Sequence, residues 1–234
     1  MVDGRSDPVP SLVIGDGYAV YRGPVGSGGP IHRHGAFQIV VAGRGEVAMV
    51  DAAGNRHRAC ALVVSPMAPH RILAARDLVT YFIEPHCLFA DRLRRRYDTG
   101  IAAAPELGEL SEQNVADACR GPSREIDPRL VAALTMLAEG NLSMPDLAVA
   151  VGVSPQRLRG LARRQLGMPL SRWRVWSRLR RAVEVLQSGV SPAQAAVTAG
   201  FSDQAHFTRQ MREMMGLTPA VVLHALGVQR LPAT

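Results

Sequence analysis

The sequence predicts an α+β chain of two domains, a β-rich N-terminal part and an all-α C-terminal part joined by a short helical segment. Three observations predict it. Between residues 11 and 85, short apolar runs alternate with Gly, Pro, Asn and Asp turns, as in FQIVVAG, EVAMV, ALVVS and LVTYFIE. After Pro85 the apolar spacing changes from the period of strands to that of helices. The charge also divides unevenly. Residues 1–125 hold 14 Arg and 14 acids, whereas residues 126–234 hold 13 Arg and 6 acids, so the whole net charge of +7 falls in the second part.

The N-terminal runs are rich in Val, Ile, Tyr and Phe and are bounded by turn residues, which is the signal of strands. Their regular spacing suggests a small antiparallel barrel or sandwich. Next come two amphipathic segments, LFADRLRRRY (88–97) and SEQNVADAC (111–119), which read as helices. Arginines lie on one side of the first, and Leu88, Phe89, Leu93 and Tyr97 on the other. The turn-rich stretch GPSREIDPR (121–129) marks a boundary, and from there to Leu226 the apolar patterns are helical. The expected domains are therefore 1–85 (β-rich), 86–126 (helical linker) and 127–234 (all-α).

Composition bounds the class. The chain has 234 residues, is 47% hydrophobic and contains no run of 18 apolar residues, so a transmembrane helix is not expected. The opening MVDGRSDPVP lacks the apolar stretch of a secretory signal. Cys60, Cys87 and Cys119 are dispersed, which fits small buried thiols in a reducing compartment. A cytoplasmic location is the expectation. All 27 basic residues are Arg, and no chemistry is attached to that.

The helical part contains an internal repeat. At an offset of 48, Ser143 falls on Ser191, Ala148 on Ala196, Gly152 on Gly200, Val153 on Phe201 and Ser154 on Ser202. One extra residue follows in the second copy, after which Leu158 falls on Phe207, Arg163 on Arg212 and Gly167 on Gly216. Each copy reads as a short helix, a glycine turn and a longer helix. Ser154-Pro155 and Ser191-Pro192 are N-caps with proline at the first helical position. This is helix-turn-helix grammar used twice. One copy would fit any helical hairpin; two copies with the same Ala-x3-Gly placement do not.

A helix that reads DNA buries one stripe on its own domain and turns short or forked polar side chains to the major groove. In the first copy Leu158 and Leu161 are expected to face the core, leaving Gln156, Arg157, Arg159, Arg163 and Arg164 outward. In the second, Phe207, Met211 and Met214 face inward, leaving Gln204, Ala205, Thr208, Arg209 and Arg212. Arg pairs with guanine, Gln with adenine, and Ala or a Thr methyl with thymine. A merely solvated face would mix in more acids; between Leu147 and Val183 there are nine arginines and no acid. Asp203 is expected in the first turn of the second reading helix, where it favours the helix dipole. Between the copies, LSRWRVWSRLRRAVEVLQ (170–187) reads as one long helix. Its arginines suit phosphates, and its length suits two reading helices about 34 Å apart.

The stretch GFSDQAHFTRQMREMMGLTP (200–219), with VGVSPQRLRGLARRQLGMPL and the linking helix, resembles the DNA-binding domain of AraC/XylS-type transcriptional regulators. The resemblance covers residues 130–226. It implies a seven-helix unit with two helix-turn-helix motifs in successive major grooves. It also implies base reading by Gln156 and Arg159, and by Gln204, Ala205, Thr208 and Arg209. Two positions depart from the family pattern: Gly160 replaces a larger polar residue and Ala162 an aromatic core residue.

The β-rich part carries a second constellation, HRHGAFQIVVAG, with PMAPHRI about 30 residues later. His32 and His34 are expected on one side of a strand, with Gln38 on the same face by period two. With His70 these residues resemble the two cupin motifs, in which His-x-His-x3-Glu and a later His converge inside a barrel; here Gln38 stands at the glutamate position. The resemblance implies a cupin-like sensor barrel at 1–85. His32, His34, Gln38 and His70 are the candidate effector site, and equally the candidate ligands of a divalent transition metal such as zinc, nickel or copper. An organic effector on the same residues is the alternative, and histidines that only rim the barrel are a third. His57, His86, His206 and His224 show no such spacing. In a regulator of this kind the helices at 88–119 supply a dimer contact or pack on the barrel.

The function so implied is ligand-responsive, sequence-specific regulation of transcription, without catalysis. The expected partners are double-stranded DNA at promoter half-sites, a small-molecule or metal effector, RNA polymerase and a second copy of the chain, with no membrane. The rival classes are a metal-dependent cupin enzyme, such as a dioxygenase or isomerase, and a sequence-blind DNA-binding protein.

Overall fold

A computed structural model describes residues 9–26, 29–97, 99–140 and 142–227. The opening residues 1–8 and the end, 228–234, lie outside them. Among the described residues the N-terminal part holds nine strands: β1 (Ser11–Gly15), β2 (Tyr18–Val25), β3 (Phe37–Ala42), β4 (Val47–Asp51), β5 (Arg56–Ala59), β6 (Ala61–Val64), β7 (His70–Ile72), β8 (Ala75–Ile83) and β9 (Ile101–Ala103). They form a six-stranded sheet in the order β1-β2-β8-β3-β6-β9 and a three-stranded sheet in the order β5-β4-β7. All the pairings are antiparallel. Among the described residues the ladders make two sheets rather than one ring closed by hydrogen bonds.

Strand alternation decides what each face of the large sheet covers. Phe37, Ile39 and Val41 of β3, with Tyr81 and Ile83 of β8, point one way. They pack under α1 (Leu88–Arg96) and α2 (Glu112–Cys119) through Phe89, Leu93 and Val115. Val40, Leu62, Val64 and Leu78 point the other way and share a core with Val47, Met49 and Ile72 of the small sheet. The expected helices at 88–97 and 111–119 are present, and Ser111 closes a capping box with Asn114 on α2. The β-rich part does not stop at Pro85, because β9 returns after α1 and pairs with β6.

Seven helices follow among the described residues: α3 (Pro128–Glu139), α4 (Met144–Ala150), α5 (Pro155–Gln165), α6 (Leu170–Leu186), α7 (Pro192–Thr198), α8 (Gln204–Met215) and α9 (Pro219–Ala225). The polar caps are serial: Ser143, Ser154, Ser191, Asp203 and Thr218 each accept a backbone N–H of the first turn that follows. Each such cap contributes about 1 kcal/mol. The 17-residue α6 is the spine, with Trp173, Trp176, Leu179, Val183 and Leu186 buried along it. No helix among the described residues is long and apolar enough to cross a membrane.

The two parts are not separate globules. The core of the helical part runs on into Tyr21 and Phe82 of the sheet and into Ala36 just before β3, and Phe82 meets Trp176. Gly35 lies against Trp176 so closely that a Cβ at that position would come within 2.9 Å of the tryptophan side chain.

Candidate functional site

The internal repeat appears as two helical hairpins of the same design. In α4–α5, Gly152 turns with φ +67° and the N–H of Val153 donates back to the carbonyl of Ala148. In α7–α8, Gly200 turns with φ +87° and the N–H of Phe201 donates to Ala196. A left-handed residue is needed at both turns, which is why glycine recurs there. The second helix of each hairpin begins on a side-chain cap: Ser154 accepts from Arg157 N at 3.2 Å and Asp203 from His206 N at 2.7 Å. Asp203 is thus the N-cap itself and not a first-turn residue.

Burial divides both second helices. Leu158, Leu161 and Ala162 are buried on α5, and Phe207, Met211 and Met214 on α8. Gln156, Arg157, Arg159, Arg163 and Arg164 are exposed, as are Gln204, Ala205, Arg209 and Arg212. Thr208 is half-buried, and its Oγ1 donates to the carbonyl of Gln204 at 2.8 Å. Several arginines of the long helix have partners within the protein while their side chains stay partly exposed: Arg172 with Glu213 at 2.6 Å, Arg174 with the Leu142 carbonyl at 2.7 Å, and Arg181 with the Ala138 carbonyl. Arg180 pairs with Glu84 at 2.8 Å and with Glu184 at 3.0 Å.

Arg180 belongs to a buried joint between the two parts that the sequence reading missed. Glu84 follows the end of β8 and its side chain is only 7% exposed. One carboxylate oxygen takes Arg180, and the other accepts from Trp176 Nε1 at 3.1 Å. Arg180 also donates to the Gly15 carbonyl at 2.6 Å. His86 lies 3.8 Å from Glu84 and edge-on to Trp173. Burial lowers its pKa, with Glu84 opposing that shift. The available signal was the single acid ending the apolar run LVTYFIE. An acid at the end of a buried strand needs a partner.

The N-terminal constellation is brought together. His32, His34 and His70 each offer a ring nitrogen within 4.8 Å of the others. Their ring centroids stand 4.6–5.0 Å apart. His32 and His34 do not sit on a strand as expected: they precede β3, and a backbone bridge between His32 and His70 holds the segment beside β7. The N–H of each of these two residues donates to the carbonyl of the other, at 2.9 and 3.0 Å. Gln38 is buried on β3, and its Oε1 has no hydrogen-bond partner among the described residues. It lines a cavity together with His32, Arg71 and Thr80. Burial pushes the pKa of all three imidazoles down: His70 to about 4, His32 below its ordinary value, and His34 well below it, with His32 and His70 adding repulsion. Three neutral imidazoles in this arrangement could hold a borderline divalent metal ion.

Residues 147–225 match a family model described as a helix-turn-helix domain. Over 85 residues the chain is 34% identical to the arabinose operon regulatory protein of Escherichia coli (strain K12), covering 36% of this chain and 29% of that protein. Over 154 residues it is 30% identical to the regulatory protein ada of Salmonella typhimurium, covering 64% of this chain and 44% of that protein. The chain therefore spans less than half the length of either relative. In fold it is similar to ToxT from Vibrio cholerae. The structure of wild-type ToxT bound to an unsaturated fatty acid aligns with a TM-score of 0.60 at 12% identity, over 97% of this chain and 100% of that one. A single-substitution variant of ToxT in its apo form aligns with a TM-score of 0.60 at 12% identity, over 91% and 98%. Residues 147–225 thus form a helix-turn-helix domain similar to that of the arabinose operon regulatory protein.

Proposed function

We propose that the chain is a ligand-responsive, sequence-specific DNA-binding regulator of transcription. In this reading α4–α5 and α7–α8 are two helix-turn-helix motifs, and α5 and α8 enter successive major grooves. The observation that carries it is the repeated hairpin on one long helix, with an arginine-rich, acid-poor side left exposed on both second helices. Gln204, Ala205, Thr208 and Arg209 on α8 read bases, as do Gln156 and Arg159 on α5. Arg157, Arg163 and Arg212 complete the contact surface, and phosphate contacts make the affinity fall with salt.

The N-terminal part, residues 1–85 with the helical segment 86–126, is a cupin-like sensor. Its effector acts at or beside His32, His34, Gln38 and His70 and alters how the two parts sit together. The small molecule held by the structurally similar ToxT supports an effector of that kind. A second copy of the chain meets it through the 86–126 segment, and RNA polymerase is the downstream partner. Pull-down of genomic fragments by the full chain, followed by sequencing and footprinting, tests the reading. Protection of discrete, related sites is expected. Uniform coverage of all fragments would leave a sequence-blind binder instead.

A further inference from the structure

The three imidazoles share one tautomer. Nδ1 of His32 lies 3.0 Å from the Pro30 carbonyl, that of His34 2.7 Å from the Met214 carbonyl, and that of His70 2.9 Å from the Ala68 carbonyl. A carbonyl only accepts, so each Nδ1 carries the hydrogen and each Nε2 presents a bare lone pair. The Nε2 atoms of His34 and His70 are buried and have no partner among the described residues. Buried acceptors left unpaired are costly, and the ring nitrogens that the three histidines offer lie within 4.8 Å of one another. A metal ion held between them removes that cost. The pattern of Nδ1–H on a backbone carbonyl with Nε2 turned inward is how metal-bound histidines are held.

One of the three carbonyls is out of the ordinary. Pro30 and Ala68 are local, but Met214 is 180 residues from His34 and lies in the last turn of α8. The last carbonyls of a helix have no partner within it. Here the segment bearing His32 and His34 supplies partners: Arg33 N donates to Glu213 O at 3.2 Å, and His34 takes Met214 O. The ring of His32 covers Gly216, where a Cβ would come within 2.7 Å of it. The end of α8 is therefore seated on the histidine cluster.

We propose that His32, His34 and His70 bind a divalent transition metal of the zinc class through Nε2, and that the ion locks the C-terminal end of α8 onto the N-terminal part. His34 is the coupling residue, since its two ring nitrogens serve the two tasks. A cation on Nε2 draws electron density from the ring and makes Nδ1–H a stronger donor to Met214 O. Three protein nitrogens leave a further position for water or effector, and Gln38 Oε1 is a buried, unpartnered oxygen in the cavity beside His32. Binding and seating are linked, so whatever favours one favours the other by the same factor. The proposal rests on the sensor reading above and deepens it.

The test uses the full chain freed of metal, and Zn²⁺ and Co²⁺ as the probes. One equivalent of Zn²⁺ is expected by competition with a chromophoric chelator. Co²⁺ should show the visible bands of imidazole coordination. H32A and H70A should each weaken binding by at least tenfold, and H57A should not. Both of the first two variants keep the His34 contact with Met214, and circular dichroism checks their fold. Hydrogen exchange by mass spectrometry then reads the coupling: Zn²⁺ should slow exchange in residues 204–217 several-fold in the wild-type chain and leave H70A unchanged. Absence of stoichiometric metal in the wild-type chain overturns the site. Metal bound with no change in that segment overturns the lock. Neither readout contains DNA, so failure of the DNA-binding reading would show separately in the pull-down.

Discussion

Removing the Glu84 carboxylate should loosen the joint between the two parts by an amount that can be worked out from its partners. In Glu84→Ala, Trp176 Nε1 loses its acceptor at 3.1 Å while the ring stays buried, and a stranded buried donor costs about 1–3 kcal/mol. Arg180 loses its 2.8 Å partner but keeps Glu184 at 3.0 Å and the Gly15 carbonyl at 2.6 Å. Its loss is therefore smaller than that of a fully orphaned charge, about 1–2 kcal/mol. The expected total is about 3 kcal/mol, or roughly 6–12 °C in melting temperature for a chain of this length. Glu84→Gln retains an oxygen for Trp176 and should cost about half as much. Urea unfolding of both variants and of Trp176→Phe measures this. A double-mutant cycle between Glu84→Ala and Trp176→Phe should return a coupling of about 1 kcal/mol. A cost below about 1 kcal/mol for Glu84→Ala, or strict additivity in the cycle, would refute the account of the joint.

Three further predictions concern DNA, pH and the core. Arg209→Ala should cost about 1–3 kcal/mol on the sites recovered by pull-down and little on random DNA, measured by fluorescence anisotropy; an equal loss on both would make Arg209 a phosphate contact. Phe207→Ala empties a fully buried site under α8 and should cost about 3–5 kcal/mol in urea unfolding, whereas a change below about 1 kcal/mol would mean the helix is not anchored there. Burial lowers the pKa of His86, as it does for His32, His34 and His70. The unfolded chain therefore takes up protons first, and folding stability should fall as pH drops below about 6.5, the ordinary histidine value. His86→Gln should flatten part of that fall in urea titrations run at successive pH values, and an unchanged slope would contradict the burial of His86 as its cause.

What was legible in the sequence was local. The two hairpins could be read because glycine turns, Ser-Pro caps and apolar spacing all lie within one short stretch of chain. The strands from FQIVVAG to LVTYFIE could be read because alternation and turn residues are local as well. The three-residue strand β9 could not, since IAA is too short to carry a period and its pairing with β6 is a tertiary event. The gathering of His32, His34 and His70 was readable by resemblance, but their position before β3 was not. It depends on the backbone bridge from His32 to His70 and on Gly35 meeting Trp176. The fate of the α6 arginines was hidden for a similar reason. A charge count does not reveal that Arg180 meets a carboxylate at the end of β8, or that Arg172 meets Glu213. The joint itself spans 92 positions between Glu84 and Trp176, and the α8 seat spans 180.

The close approach of Gly35 to Trp176 has a consequence for exchanging parts between proteins. A different N-terminal part fused to these seven helices would have to offer Trp176 a position without a side chain, a carboxylate for its indole N–H, and a carbonyl for Arg180. A graft lacking them would leave a buried cation and a large aromatic face open to solvent at the seam. Helix α6 is thus matched to its own sheet, and the transferable unit is the helix together with that sheet.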